Sequence, residues 1–169
     1  MKPIPERIAD VALTQVGVQE EGGNNRGPKV REYQAATWLE PAPWPWCAAF
    51  VDWCVMKALE GADPADPLFR GMRPRDWRPF TAGAFDLENW GKKRSLKILN
   101  PSTVAKAGDI VIFDMGHCGI VIADLTVHLD TVEGNTGPAG LRDSTQGDGV
   151  WRKLRPHSMV RSFVRLELA

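Results

Sequence analysis

The sequence predicts a single-domain α+β fold, with helices in the first half of the chain and an antiparallel sheet in the second. Its length of 169 residues fits one domain. Apolar residues recur at helical spacing before Pro101, whereas β-branched and alternating runs dominate after it. Helices that precede the strands, rather than alternate with them, argue against a parallel sheet. We therefore expect residues 1–169 to form one domain.

Four helices are predicted in the first half. The first covers about residues 5–16 and is followed by the loop EEGGNNRG, whose glycines and asparagines tolerate left-handed backbone geometry. A second, short helix covers about residues 29–37. The third, at about 47–59, has the clearest pattern, because its apolar residues fall on one helical face. A fourth, at about 81–90, follows a long connection rich in proline and glycine.

The second half of the chain has strand character. Glycine-rich turns separate five β-branched or alternating segments, which read AGDIVIF, HCGIVIAD, TVHLDTVEG, GVWRKL and MVRSFVRLEL. Their regular spacing predicts a small antiparallel sheet.

The charge balance excludes several classes of function. The chain has 21 basic and 21 acidic residues, whereas broad binding to nucleic acid or to an anionic membrane needs a basic excess on at least one face. The segment MKPIPERIADVAL lacks the regions of a signal peptide, and no window reaches the roughly 18 apolar residues of a membrane span. We expect a monomer, made in the cytoplasm without a signal peptide, that neither binds nucleic acid nor inserts into a membrane.

The three cysteines do not form a disulfide framework. Their number is odd, so at least one thiol stays free. If Cys47 and Cys54 share a helix, their Cα atoms are about 10.5 Å apart, which exceeds the limit of about 7 Å for a disulfide.

Cys47 is the candidate nucleophile. It follows two tryptophans and two prolines in PWPWCAAFVDWC and begins the best-patterned helix. The unpaired N–H groups and the dipole at a helix N-terminus favour a thiolate, the reactive form of cysteine. Trp44 and Trp46 adjoin it and are candidates to line a substrate cleft. Cys54, two turns deeper on the same helical face, is expected to be a core residue.

His117 is the candidate general base. In GHCGIVIAD, strand alternation places His117 and Gly119 on one face and Cys118 on the other, so Cys118 is expected in the core and Gly119 to leave open space beside the imidazole. In DTVEGN, the same alternation puts Glu133 and Asn135 on one face, where either can meet an imidazole from a neighbouring strand and fix its tautomer.

These motifs resemble the CHAP domain family, the cysteine- and histidine-dependent amidohydrolases and peptidases of bacterial cell walls. PWCAAFVDWC, AGDIVIF, GHCGIVI and TVEGNTG occur in the order typical of that family, and the resemblance covers about residues 10–165. It implies a papain-like α+β fold, with N-terminal helices packed on a small antiparallel sheet or half-barrel.

The resemblance also implies roles for individual residues. Cys47 would be the nucleophile, His117 the base, Glu133 the group that orients the imidazole, and Asn135 a further polar member of the site. Asp109 matches the family's Gly-Asp pair and is interpreted as a structural turn residue. Some relatives carry an aspartate-rich calcium loop near the N-terminus, where this chain has EEGGNNRG, so we expect no metal and no cofactor.

The leading functional hypothesis is a phage-endolysin-type peptidoglycan hydrolase that cleaves an amide through a cysteine thioester. It would be either an N-acetylmuramoyl-L-alanine amidase or an endopeptidase of the stem or cross-bridge, and would reach the wall through a separate membrane pore. One alternative is a peptidoglycan amidase toxin delivered by a secretion system, with an immunity partner. Two non-enzymatic alternatives are a wall-binding module and a structural zinc site, the latter with the candidate ligands Cys47, Cys54, Cys118 and His117.

Overall fold

The protein is a six-stranded antiparallel sheet packed against helices, which confirms the predicted α+β class. A computed structural model describes residues 2–137 and 148–169. The main hydrophobic core lies between the helices and one face of the sheet. A smaller cluster, which includes Phe113 and Phe163, lies on the opposite face. No helix within the described ranges is both long and apolar enough to cross a bilayer.

The helices precede the sheet, apart from one short 3₁₀ turn. The helices are α1 (Ile4–Thr14), α2 (Pro28–Gln34), α3 (Cys47–Ala58), α4 (Pro74–Trp77) and α5 (Ala84–Lys93), with 3₁₀ turns at Pro67–Phe69 and His157–Met159. The strands are β1 (Leu96–Leu99), β2 (Ile110–Phe113), β3 (His117–Asp124), β4 (His128–Thr136), β5 (Gly149–Pro156) and β6 (Val160–Leu168). All five predicted strands are present, and the predicted helices are present with ends shifted by a few residues.

The sequence did not predict strand β1 or the short helix α4. β1 pairs with β6, with Ile98 opposite Val164. Its four residues follow directly after α5 and the charged stretch KKR, so they are too few to show a strand period of their own. The strand forms because β6 offers it hydrogen-bond partners, which is a tertiary influence that a local pattern does not contain.

The sheet order is β1-β6-β2-β3-β4-β5. β2 and β3 form a tight hairpin in which Phe113 lies opposite His117. β4 follows on the other side of β3, with Val132 opposite Ile120. β3 and β4 are therefore both interior strands of the sheet, and helix α3 packs across them.

Helix α3 is the central helix and is buried almost all round. The predicted apolar face is buried, and so are Ala48, Ala49, Asp52 and Trp53, which lie off that face. Asp52 is fully buried and accepts hydrogen bonds from the Arg78 guanidinium at 2.9 Å and the Thr81 N–H at 2.9 Å. Burial raises the pKa of Asp52 to about 8 despite these partners. These hydrogen bonds tie the long connection after α3 back onto the helix.

The start of β2 is fixed by a buried ion pair. Asp109 accepts two hydrogen bonds from the Arg165 guanidinium, at 3.0 and 2.7 Å, which joins β2 to β6. It also accepts from the Lys106 N–H at 2.8 Å, as expected of an acidic residue in a turn. Asp109 therefore has a structural role, in agreement with the interpretation from the sequence.

Gly134 allows β4 to approach helix α3. A Cβ atom at this position would lie 2.5 Å from Phe50 Cβ and 2.9 Å from Trp46 Cζ3. We predict that Gly134→Ala lowers the free energy of unfolding by about 1–3 kcal/mol, because neither aromatic residue can move without disturbing the core. Urea unfolding at constant m-value measures this, and a midpoint equal to that of the wild type would contradict the predicted close packing.

Candidate active site

Cys47 lies at the N-terminus of α3, as the sequence predicted. It is the first residue of the helix and is 6% exposed. The preceding residue, Trp46, makes no side-chain capping bond, and the Ala48 N–H donates to the Cys47 sulfur. The Ala48 N–H and the dipole of the uncapped helix N-terminus therefore favour the anionic form of the thiol.

His117 begins strand β3 and is completely buried. Its ring stacks on Phe113, its cross-strand partner, with centroids 6.0 Å apart and an interplanar angle of 15°. Its Nε2 atom lies 2.8 Å from Glu133 Oε2 on β4. The hairpin and the neighbouring strand together fix both the position and the orientation of the imidazole.

Glu133 is held by partners on both sides of its carboxylate. The Thr131 hydroxyl donates to Oε1 at 2.7 Å, and the Arg155 guanidinium on β5 donates to Oε1 at 2.9 Å and to Oε2 at 2.6 Å. Glu133 and Arg155 are both buried. Burial alone would raise the pKa of Glu133, but the bonds from Arg155 and His117 prevail and lower it to about 2. Glu133 is therefore an anion at any pH relevant to the protein.

Cys47 and His117 are close enough that each shifts the pKa of the other. Because Nε2 is engaged by Glu133, Nδ1 is the ring nitrogen left for the thiol. Nδ1 has no partner of good hydrogen-bond geometry among the described residues, so the thiol contact is loosely aligned. Such contacts are common in unliganded active sites and tighten when substrate binds.

The environment favours a thiolate–imidazolium pair. The interaction with Cys118 lowers the pKa of Cys47 most, and burial, which would raise it, is further opposed by His117 and by the Ala48 N–H. For His117, burial lowers the pKa, but hydrogen bonds to Cys47 and Glu133 raise it to about 9 overall. The pair is therefore ionised from the lowered thiol pKa up to a pH of about 9.

The four side chains form a buried row of alternating charge: Cys47 thiolate, His117 imidazolium, Glu133 carboxylate and Arg155 guanidinium. Each charge lies next to one of opposite sign, and the row sums to zero, so burial in a medium of low dielectric is tolerated. The sequence brings these groups from a helix and three different strands. An acyl-transfer reaction needs this arrangement of nucleophile, base and orienting group.

Cys118 has a closer relation to the site than predicted. It is buried in the main core beside Ile120, while His117 stacks against the smaller cluster, so the two residues point to opposite faces as expected. Its thiol nevertheless interacts with Cys47, and burial together with that interaction raises the pKa of Cys118. Cys118 therefore remains a neutral thiol next to the nucleophile.

The space beside His117 is filled rather than open, which corrects one expectation. A Cβ atom at Gly119 would lie 2.6 Å from Glu133 Cγ and 3.0 Å from the Val132 carbonyl oxygen. The glycine is thus needed for Glu133 to reach the imidazole across the two strands. The sequence predicted that Gly119 leaves open space beside His117, whereas the missing side chain makes room for Glu133.

Asn135 is buried at an irregular point of β4. Its φ angle of 54° is left-handed, a conformation that asparagine tolerates, and the β4–β5 register shifts between Glu133 and Thr136. The position is two residues from Glu133, but its part in the chemistry stays a prediction.

The two tryptophans before Cys47 differ in accessibility. Trp46 is fully buried, stacks on Tyr33 with centroids 5.5 Å apart, and donates from Nε1 to Glu20 at 2.9 Å. It therefore offers no face to a substrate, which argues against its predicted place in the substrate cleft. Trp44 is half-buried and donates to the Glu40 carbonyl at 2.9 Å, so it remains a candidate.

Sequence reasoning did not identify Arg155 or Thr131. Arg155 lies on β5, where Lys153 and Arg155 are buried and Arg152 and Leu154 are exposed. Alternation was the available signal, but basic residues occupy both faces of this strand, so the pattern did not reveal which face is internal. Thr131 shares a strand face with Glu133, which made it identifiable as a neighbour but not as a donor.

The described residues do not form a metal centre. Within residues 2–137 and 148–169, no cluster of three or more histidine, cysteine or acidic side chains has the proximity needed to hold an ion. This gives no support to the zinc alternative.

Residues 39–135, more than half of the chain, match the family model described as CHAP domain. No curated protein and no solved structure matches the chain. The matched segment begins before Cys47 and ends at Asn135, so it contains the candidate residues Cys47, His117 and Glu133 but not Arg155.

We predict that iodoacetamide modifies Cys47 near neutral pH and that His117→Ala slows this reaction by roughly tenfold or more, because the variant loses a group that lowers the thiol pKa. Peptide mapping by mass spectrometry over a pH series measures both site and rate. Cys54→Ala is the matched control, since burial raises the pKa of Cys54 and keeps it unreactive. An unchanged pH midpoint in His117→Ala would contradict the thiolate–imidazolium pair.

We predict that Arg155→Met lowers the free energy of unfolding by about 3–5 kcal/mol, because it leaves the Glu133 carboxylate buried without its cation. The folded pKa of about 2 lies below the ordinary value of 4.5, so Glu133 stabilises the wild type above pH 4.5 and loses this effect as the pH falls through about 2. In Arg155→Met, the loss of stability on acidification should begin at a higher pH than in the wild type.

Arg152→Met is the control for that variant. Arg152 lies on the same strand, but its side chain is 55% exposed in its ion pair with Asp130, so its loss should cost less than about 1 kcal/mol. Urea unfolding over an acid pH series measures both variants, and equal losses would show that the Glu133–Arg155 pair is not special.

Proposed function

We propose, since the chain belongs to the CHAP domain family, that it is a cysteine-dependent hydrolase that cleaves an amide bond in peptidoglycan through a thioester intermediate. CHAP domains are typically cysteine- and histidine-dependent amidohydrolases, and the family implies amidase or peptidase activity on peptidoglycan in general. The observation that carries the specific mechanism is the buried row Cys47–His117–Glu133–Arg155 at the N-terminus of α3.

The first half of the reaction forms the acyl-enzyme. The Cys47 thiolate attacks the amide carbonyl carbon, and the negative charge moves to the carbonyl oxygen. Backbone N–H groups in the uncapped first turn of α3 stabilise that oxyanion. The His117 imidazolium then gives its proton to the leaving nitrogen, so the C–N bond breaks, an amine departs and a thioester remains on Cys47.

The second half restores the enzyme. His117 is now neutral and accepts a proton from a water molecule, whose oxygen attacks the thioester carbon. The C–S bond breaks, Cys47 leaves as thiolate, and a carboxylic acid is released. Glu133 keeps the imidazole in the tautomer with Nε2–H toward the carboxylate throughout, because its Oε2 atom lies 2.8 Å from Nε2.

Arg155 supports this cycle as a positioning residue. It does not contact the reacting sulfur in the proposed geometry, but it fixes the carboxylate in the plane that His117 requires. The bidentate arrangement restricts rotation of Glu133 more than a single hydrogen bond would.

The scissile bond is either the amide between glycan and stem peptide or one within the stem or cross-bridge. We propose the phage-endolysin setting for the enzyme, and the secreted toxin with an immunity partner is the alternative. A neighbouring gene for a membrane pore protein would favour the endolysin, whereas a neighbouring immunity gene would favour the toxin.

We predict that Cys47→Ala and His117→Ala each fold but release no soluble fragments from purified peptidoglycan, because each lacks a group that the thioester route requires. Release of fragments by the wild type, followed by mass spectrometry of the products, identifies the bond that is cut. Circular dichroism checks folding, and Cys54→Ala is the matched cysteine control that should stay active. Full turnover by either Cys47→Ala or His117→Ala would refute the mechanism. Wall binding without cleavage by the wild type would favour the wall-binding module.

A further inference from the structure

A pocket of about 600 Å³ lies beside the segment that leads into Cys47. It is bounded by the loop before α2, by α2 itself and by the prolines at 41 and 43; its lining includes Asn25, Arg26, Arg31, Gln34 and Pro43. We call it the arginine pocket. The loop EEGGNNRG, which the mechanism leaves without a role, supplies one of its walls.

Two unpaired cations line the arginine pocket. Neither Arg26 nor Arg31 has a salt-bridge partner in the described part of the chain, where most other arginines are paired. Two acidic residues of this region are engaged elsewhere: Glu20 accepts from Trp46, and Glu32 accepts from Lys29 and Trp53. No acidic side chain is among the described residues that line the pocket. Two guanidinium groups at one concave site suit an anion such as a carboxylate.

The pocket lining also contains hydrogen-bond acceptors. Asn25 and Gln34 are both more than nine-tenths buried. Their side-chain oxygens, Oδ1 and Oε1, have no hydrogen-bond partner in residues 2–137 and 148–169. Buried acceptors of this kind are normally satisfied. A ligand that combines carboxylates with amide N–H groups would satisfy both kinds of group, which favours a peptide over a phosphate, since a phosphate dianion has no N–H to donate.

The walls of the pocket are held rigidly. The Gln34 amide donates to the Ala42 carbonyl at 2.7 Å and to the Trp44 carbonyl at 3.1 Å, which ties α2 to the segment before Cys47. Gly27 has a φ angle of 129°, and a Cβ atom there would lie 2.9 Å from the Glu21 nitrogen, so the loop closes tightly on itself. A site held in this way loses little entropy when a ligand binds.

The pocket lies within reach of the nucleophile. Pro43 precedes Cys47 by four residues, so their Cα atoms are at most about 14 Å apart. An extended peptide of four residues spans a similar length of about 13 Å. A short peptide with its scissile amide at Cys47 is therefore long enough to reach the proline side of the arginine pocket.

We infer that the arginine pocket is a subsite for the carboxylate-bearing peptide part of the substrate, with Arg26 and Arg31 as specificity-determining residues. The inference rests on the proposed function, because the scissile bond must lie at Cys47. It adds that cleavage depends on free carboxylates in the stem peptide, and that muropeptides with amidated carboxylates are poor substrates.

The kinetic test uses soluble muropeptides with free carboxylates and the same compounds after chemical amidation. For the free-carboxylate substrate, Arg26→Gln/Arg31→Gln should raise KM by roughly tenfold or more with kcat nearly unchanged, since charge-assisted hydrogen bonds to the ground state are lost. For the wild type, amidation of the substrate should raise KM by a similar factor. On the amidated substrate, the KM of the double variant should be little higher than that of the wild type. Arg75→Gln, an arginine with a 71% exposed side chain outside the pocket, is the matched control.

A binding measurement separates the two proposals. Titration calorimetry of Cys47→Ala, with and without the two arginine substitutions, reports affinity for the same muropeptides without turnover. Cleavage by the wild type with no effect of the arginine substitutions, or equal losses on both substrates, would overturn the subsite and leave the hydrolase intact. Arginine-dependent binding without cleavage by the wild type would uphold the subsite and overturn the hydrolase.

Discussion

The buried ion pair between Glu133 and Arg155 is the interaction on which the candidate site depends. A carboxylate with no water around it would take up a proton or move, and either change would release His117 from its orientation. Arg155 prevents both, with two donors in a fixed plane. Thr131 occupies the remaining side of Glu133. This contact between two strands thus keeps Glu133 as the anion that orients His117 and helps to raise the pKa of the imidazole.

Helix α3 supplies the other half of the site and is fixed by equally local constraints. Its first turn lies near the start of β3, while its middle is held by the hydrogen bonds between Asp52 and Arg78 and by the close approach of Gly134. A helix that is buried on nearly every side cannot rotate about its axis without loss of packing. The thiol therefore meets the imidazole through the rigidity of the core rather than through a strong contact between the two groups themselves.

The sequence predicted those parts of the site that lie in well-patterned segments. The helical period located Cys47 at a helix N-terminus, and strand alternation placed His117 and Glu133 where one imidazole and one carboxylate can meet. It did not predict Arg155, β1 or the contact between Cys118 and Cys47. Each of these depends on which strands are neighbours in the sheet, and neighbour relations are set by tertiary packing. The role of Gly119 was missed for the same reason, since the side chain that fills its space comes from the next strand.

The strand order has a consequence for how the protein is made. β6 comes after every other strand in the sequence, yet it lies between β1 and β2 in the sheet. A nascent chain on the ribosome therefore cannot close the sheet until synthesis has passed Leu168, and the long-range pairing that follows is intrinsically slow to form. The candidate site lies on α3, β3, β4 and β5, and these three strands pair with one another without β6, so the last strand completes the framework around the site rather than the site itself.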